Sequence, residues 1–328
     1  MITIKDVARK VGVTPTTVSM VMRGDERISP PTRDKVLKAA KELNYYPNHI
    51  GRSLVKGKTN TVAVAATLYY GPFKSDLFNG IDLALSETKY NIMQFPSRID
   101  QDDEALREIY YGRRGDGVIA VTLKPGEEII NEFRNSGKPI VMVEDTVEGL
   151  PGVKVDNFKG AYMAVENMIK KGRKKIAHVY GYKTDYANGR ERREGYEAAL
   201  RDNGLAPENM EKFVSKRYCF QDGQEIYNEI AEKSGNIDGV FVSAGDMVAM
   251  GIMRGAKDKG VKLPEAFSIT GYDGLESGSL ISPSLTTVKQ PVFEMGMYAF
   301  EYLQRLMNGG ANEGIKVFEP QLIVRESA

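Results

Sequence analysis

Thr3-Ile4-Lys5-Asp6-Val7-Ala8-Arg9-Lys10-Val11-Gly12-Val13-Thr14-Pro15-Thr16-Thr17-Val18-Ser19 reads as two short helices joined by a tight turn. Thr3 with Asp6 makes a capping pattern and sets an acidic side chain at the positive end of the first helix. Val7, Ala8 and Val11 recur at helical spacing and define its inward face. Gly12 stops that helix, because glycine takes the left-handed conformation of a helix end without steric cost. Thr14 is a good N-cap for the second helix, and Pro15 occupies its first position, where a missing N–H costs nothing. Val18, Val21 and Met22 give this helix its inward face. Ser29-Pro30-Pro31-Thr32 opens a third helix, with Val36, Leu37, Ala40 and Leu43 expected to point inward.

A helix-turn-helix places the start of its second helix in the DNA major groove. The expected base readers are Pro15, Thr16 and Met20, and Thr14 beside them joins the expected DNA contacts. Thr16 donates or accepts at a base edge, and Pro15 and Met20 can touch thymine methyls. The alternative for Met20 is packing against the third helix. Charge agrees with DNA as partner: residues 1–58 hold twelve Lys and Arg against five Asp and Glu. That net of +7, in a chain of net +1, leaves the remainder at −6. A basic module on an acidic body is the electrostatic footprint of phosphate binding.

The 328 residues are 41% hydrophobic and 27% charged, an ordinary globular composition with room for a small module and about two core-forming domains. Cys219 is the only cysteine, which excludes a disulfide framework or a cysteine metal cluster. No apolar run approaches a membrane span and no signal-peptide pattern opens the chain, so a cytoplasmic protein without membrane contact is expected.

Beyond a polar linker at Lys56-Gly57-Lys58-Thr59-Asn60, strand-like and helix-like segments alternate. Strand-like runs include 62–67, 92–95, 118–122, 140–143, 176–180, 240–243 and 268–270. Helix-like segments such as 76–87, 161–171, 192–203, 223–233 and 247–259 separate them. The alternation implies an α/β core of parallel sheets covered on both faces, in two similar halves near 61–159 and 162–287. The last segment, 291–328, is a helix and a strand-like tail that returns to complete both halves. Two such sheets leave a cleft at the C-terminal ends of their strands, where ligands bind.

The opening motif, together with Tyr46-Pro47-Asn48-His49-Ile50-Gly51-Arg52-Ser53-Leu54, resembles the headpiece and hinge of the lactose-repressor (LacI/GalR) family of bacterial transcription regulators. The resemblance runs on through Gly115-Asp116-Gly117-Val118-Ile119, Arg192-Arg193-Glu194-Gly195-Tyr196, Gly271-Tyr272-Asp273 and Pro283-Ser284-Leu285-Thr286-Thr287-Val288, and covers nearly the whole chain. It implies an all-α headpiece at 1–46, a hinge helix and linker at 47–60, and a periplasmic-binding-protein-like core at 61–328. The core would divide into a subdomain of 61–159 plus 291–321 and a second of 162–287 plus 322–328. In the family the hinge becomes helical on the operator and a leucine wedges between bases in the minor groove. Leu54 matches that leucine, and Asn48 joins the DNA contacts. Gly51 stands where Ala is usual, which weakens a helix by roughly 1 kcal/mol.

For the effector site the resemblance implies Phe73, Glu144, Arg192, Tyr218, Asp273 and Gln290. Arg192 supplies fixed donors, Asp273 and Glu144 supply acceptors, and the aromatics suit a polyhydroxylated ring with apolar faces. Further departures are Met20 for a long polar or basic residue, Gly245 for a polar residue before Asp246, and Val292 for an aromatic found in some members. Lys74 is either a solvated lysine or the mark of an acidic ligand. For Arg192 and Asp273 the alternative is a structural ion pair, and for Phe73 and Tyr218 it is plain packing.

An enzyme is the first rival. The only histidines are His49, in the hinge, and His178, inside a strand-like run that suits a structural role, and no nucleophile elbow, zincin pair or phosphate loop is present. A sugar-binding protein without DNA binding is opposed by the basic headpiece. A regulator answering to a protein co-repressor, as catabolite-control members of the family do, stays open, since Met250-Gly251-Ile252-Met253-Arg254-Gly255-Ala256 somewhat resembles those members. The expected function is thus a homodimeric repressor of carbohydrate-metabolism genes. It would bind a pseudo-palindromic operator, respond to a sugar-like effector, need no cofactor or metal, and have no enzymatic activity.

Overall fold

The computed structural model describes residues 2–46, 57–67, 71–98, 101–182, 186–233, 235 and 237–328. Two compact units, 1–59 and 60–328, are separable.

The first unit holds α1 (Ile4–Val11), α2 (Pro15–Val21) and α3 (Pro30–Glu42). The capping box forms: the Thr3 backbone N–H donates to Asp6 at 2.9 Å, and the Thr3 hydroxyl does so at 2.7 Å. Gly12 is left-handed at φ +76°. The Thr14 hydroxyl accepts the Thr17 N–H at 3.2 Å, as an N-cap should. Val7, Ala8, Val18, Val21, Val36, Ala39 and Ala40 form the core, with Val11, Met22 and Leu43 packed partly against it. Leu37 departs from expectation and is 44% exposed. The inward stripe runs 36, 39, 40, 43, and Leu37 sits about 100° round the helix from Val36.

The second unit contains two six-stranded sheets. Sheet A is built from β1 (Thr61–Thr67), β2 (Asn91–Ser97), β3 (Gly117–Val121), β4 (Ile140–Val143), β5 (Gly152–Val155) and β11 (Ile315–Phe318). Its order is β11-β5-β4-β3-β1-β2, parallel throughout. Sheet B is built from β6 (Ile176–Gly181), β7 (Lys212–Ser215), β8 (Gly239–Val242), β9 (Ser268–Asp273), β10 (Thr286–Lys289) and β12 (Gln321–Ile323). Its order, β12-β10-β9-β8-β6-β7, repeats that of sheet A, except that β12 runs antiparallel. The expected α/β architecture of parallel sheets is therefore present.

Connecting helices cover the sheets: α4 (Pro72–Ser86), α5 (Asp102–Tyr111) and α6 (Glu127–Ser136) follow strands of sheet A. Around sheet B lie α7 (Asn157–Lys170), α8 (Ala187–Asp202), α9 (Phe220–Glu232) and α10 (Asp246–Asp258). The final helix, α11 (Val292–Met307), returns to sheet A, where Met295, Ala299, Phe300 and Leu303 join Val62, Val64 and Ile119 in one core. The chain thus passes between the halves after β5, after β10 and after β11. The central strands are largely buried on both faces, and those such as Val62–Ala66 read as continuous apolar runs.

The repeat extends to detail. Ser97, ending the edge strand β2, donates its hydroxyl to Asp102 in the first turn of α5. Ser215, ending the edge strand β7, does the same to Asp222 in the first turn of α9. In both halves the order reverses between the first and third strands, and the C-terminal strand ends there border the cleft.

Candidate functional site

Arg192, in α8, is the hub of the cleft. Its Nε donates to Asn157 Oδ1 at 2.7 Å and its Nη1 to the Ser243 carbonyl at 3.0 Å. Its guanidinium lies 3.8 Å from the centre of the Tyr272 ring. The Tyr272 hydroxyl also donates to Asn157 Oδ1, at 3.2 Å. Planar Arg stacked on an aromatic face keeps its fork in one orientation.

Carboxylates from both halves meet this cation. Glu144, just after β4, is 4.0 Å from Arg192 Nη2. Asp273, ending β9, occupies the equivalent place in sheet B and accepts from Gln290 Nε2 at 2.9 Å. Both take backbone conformations that favour glycine, φ +73° for Glu144 and φ +121° for Asp273. Strained backbone of this kind clusters at functional sites. Gly245 is part of the same fit: a Cβ there would stand 2.8 Å from Asp273 Oδ2, so the glycine that replaces a polar residue makes room for this carboxylate. Burial raises the Glu144 carboxyl above its usual range, against the opposing pull of Arg192. Burial likewise raises Asp273, which Arg192 and Gln290 partly offset. The neighbouring Asp246 is raised by burial and by Asp273, while the Leu275 N–H at 2.8 Å and the Thr287 hydroxyl at 2.6 Å occupy its oxygens.

The halves touch across the cleft. The Tyr186 hydroxyl donates to Asp102 at 3.2 Å, the Ala187 N–H to Asp145 at 2.6 Å, and Lys154 pairs with Glu191 at 2.6 Å.

Four of the six expected effector residues, Glu144, Arg192, Asp273 and Gln290, form one linked cluster. The other two stand apart from it. Phe73, in the first turn of α4, is half-buried against the core of sheet A. Tyr218, at φ +54°, lies over Gly181, where any Cβ would meet its ring, and its ring centre is 5.8 Å from that of Tyr182. Lys74 is not a freely solvated lysine: its ammonium donates to the Thr67 carbonyl at 2.9 Å. His178 has the structural role expected of it, with Nε2 2.7 Å from the Ser243 hydroxyl and its ring stacked on Tyr196 and Phe241. Asn157, Tyr272, Ser243 and Asp145 were not singled out by sequence. Adjacency to Glu144 and to Asp273 was the only available signal for Asp145 and Tyr272.

On the headpiece, Thr14, Pro15 and Thr16 are exposed at the start of α2. Met20 is half-buried, yet it is not among the side chains packed on the three-helix core. Asn48 and Leu54 lie outside the described residues.

Burial pushes the Asp145 carboxyl up to about 7, with Glu144 adding to the rise, from an ordinary value of 3.8. The folded core therefore holds this proton between about pH 4 and 7, where the unfolded chain releases it. The contribution is fully present below pH 4 and is lost as pH rises through 7. His178, held well below its ordinary value by burial, works in the opposite direction below pH 6.5, so a variant difference isolates the carboxyl. Asp145→Asn should be more stable than the parent by on the order of a few kcal/mol at pH 8, with the gap closing towards pH 4.5. Urea titrations at the two pH values check this, and a gap independent of pH would contradict it.

Residues 3–48 match a family model described as bacterial regulatory proteins, lacI family, and residues 165–328 match one described as a periplasmic binding protein-like domain. The chain is 33% identical to catabolite control protein A of Priestia megaterium over 310 residues, spanning 94% of this chain and 93% of that protein. It is similar to a solved complex of the transcriptional regulator CelR with cellobiose, at 28% identity and TM-score 0.73 over 100% of both chains. It shares the fold of the lac repressor dimer bound to operator and the anti-inducer ONPF, at 23% identity and TM-score 0.85 over 99% and 98% of the chains. No described helix is long and apolar enough to cross a membrane. An exposed recognition helix on a basic headpiece, carried on a core with relatives of this extent, places the protein: the chain belongs to the LacI family of bacterial regulatory proteins and is a DNA-binding transcription regulator.

Proposed function

We propose that this regulator is a repressor that binds a pseudo-palindromic operator as a homodimer and is switched by a sugar-like effector in the core cleft. One observation carries the reading: Arg192, Glu144, Asp273 and Gln290, from both halves of the core, converge on one site with buried acceptors left open. Among the described residues, Glu144 Oε1 and Oε2, Asp145 Oδ2 and Gln290 Oε1 accept no hydrogen bond of good geometry. Buried acceptors without donors are costly, and ligand hydroxyls would satisfy them. The cellobiose held by the similar CelR supports the ligand class. Phe73 and Tyr218 would line the approach, Tyr218 together with Tyr182.

The headpiece 1–46 contacts DNA through Thr14, Pro15, Thr16, Met20 and Asn48, and the hinge 47–60 through Leu54. Residues 61–159 with 291–321, and 162–287 with 322–328, move as the effector closes the cleft. That movement changes hinge spacing and couples ligand to operator affinity. The protein acts in the cytoplasm, with the DNA. Identity to catabolite control protein A favours a second reading, in which a protein co-repressor supplies the switch. A thermal-shift screen of the full chain against a sugar panel separates the two. The first reading expects at least one sugar to raise the melting temperature; the second expects none to do so, with a partner recovered from lysate.

Leu54→Ala should weaken operator binding and reduce DNA bending while effector affinity holds, because an apolar wedge exchanges base unstacking for contact. Gel-shift titration reads the outcome, and unchanged operator affinity would remove Leu54 from the interface.

A further inference from the structure

The cleft is rich in acceptors and poor in cations. Among the described residues, three carboxyl groups, Glu144, Asp145 and Asp273, face a single guanidinium, that of Arg192. Arg192 already gives donors to Asn157 and to the Ser243 carbonyl. Lys74 is engaged by Thr67, and Lys154 by Glu191. Glu144 is 1% exposed and takes no well-formed hydrogen bond, only weaker donation from Asn157, Asn188 and the Val155 N–H, and Gln290, 3% exposed, keeps Oε1 open, so the shortage of donors extends beyond the acidic groups.

We propose that the effector is cationic: a polyhydroxylated, sugar-like molecule carrying a protonated amine, with its ammonium at Glu144 and Asp145. This rests on the reading of the cleft as the effector site. An ammonium offers three donors and no acceptor, which matches a site of open acceptors. A neutral sugar supplies hydroxyls but no charge to favour the ionised carboxylates, and a phosphorylated sugar adds like charge to an acidic site. Burial keeps protons on Asp145 and raises Glu144 in the same direction. An arriving ammonium favours the ionised carboxylates and displaces those protons, so binding releases protons to the buffer.

The test uses the full-length chain and a panel of pentoses and hexoses with their amino, N-acetylamino and phosphorylated counterparts. Melting temperature identifies ligands, and isothermal titration in phosphate and in Tris measures affinity and proton release. The expected result is a free amine that binds at pH 6.5, below the Asp145 value of about 7, at least tenfold more tightly than its hydroxyl and N-acetyl counterparts, with protons released. Glu144→Gln and Asp145→Asn, each checked for folding by its own melt, should reduce that preference to less than threefold. A neutral or phosphorylated sugar binding as tightly as its amine would overturn the cationic effector and leave the effector cleft standing. A panel in which no member shifts the melt would overturn both.

Discussion

Arg192→Ala is expected to abolish the effector response while the headpiece still binds operator. The side chain makes two hydrogen bonds, stacks on Tyr272 and is the cation beside Glu144 and Asp273. A hydrogen bond to a charged group contributes about 1.5–3 kcal/mol, so its loss lowers ligand affinity by roughly one to two orders of magnitude. The core also loses stability, by about 3 kcal/mol, because removing one partner leaves buried charge uncompensated. Protonation of Glu144 and Asp273 limits that loss, so the variant should be more stable at pH 6 than at pH 8. Arg192→Lys should recover part of the stability and little of the response, since an ammonium cannot reproduce the fork. Effector titrations of operator binding, each paired with a melting curve, read both effects. A normal response at normal ligand concentration would move the site away from Arg192. A variant that melts without a folded baseline would assign Arg192 to structure instead.

Gly251→Val should cost 3 kcal/mol or more, at about the upper end for overpacking a tight interior. Helices α9 and α10 cross with backbone in contact. A Cβ at Gly251 would stand 2.0 Å from the Phe220 carbonyl oxygen and 2.9 Å from the Gly223 Cα. Neither neighbour is a side chain that can swing away, so the helices must separate. Phe220 begins α9, directly after Tyr218 and Cys219, so the shift reaches the cleft lip. The denaturation midpoint should fall sharply and ligand affinity with it. A midpoint within experimental error of the parent would show that the crossing is loose. Gly80 and Gly296 repeat the arrangement between α4 and α11, where added methyls would meet the Phe293 and Leu77 carbonyls.

The headpiece was nearly all legible, because its signals are local. Caps at Thr3 and Thr14, the stop at Gly12 and the prolines act within a few residues. Its one error, Leu37, came from taking an apolar residue as inward when strict helical spacing from Val36 excludes it. In the core, apolar runs mark strand and helix types, but the helices start earlier than their apolar period. Segments 161–171 and 192–203 begin in the structure at Asn157 and Ala187. Those first turns serve the cleft and carry polar or small residues, which hide the apolar period. Short strands such as β5 and β7 hold too few apolar residues to be distinguished from loops. Only the family resemblance points to Glu144, Arg192, Asp273 and Gln290 as one cluster. It does not point to their supports, since Asn157 holds Arg192 across 35 residues and no local pattern records that pairing.

Under the proposed function, a ligand in the cleft sets the affinity of the headpiece for DNA. The direct measurement is fluorescence anisotropy of a labelled operator duplex, chosen by selection from random sequence, titrated with full-length protein at fixed salt. It is run without ligand and with a saturating ligand found by its melting shift. Operator affinity is expected to change by about 5- to 150-fold, with no change in Arg192→Ala. Equal operator affinity with and without saturating ligand would contradict it.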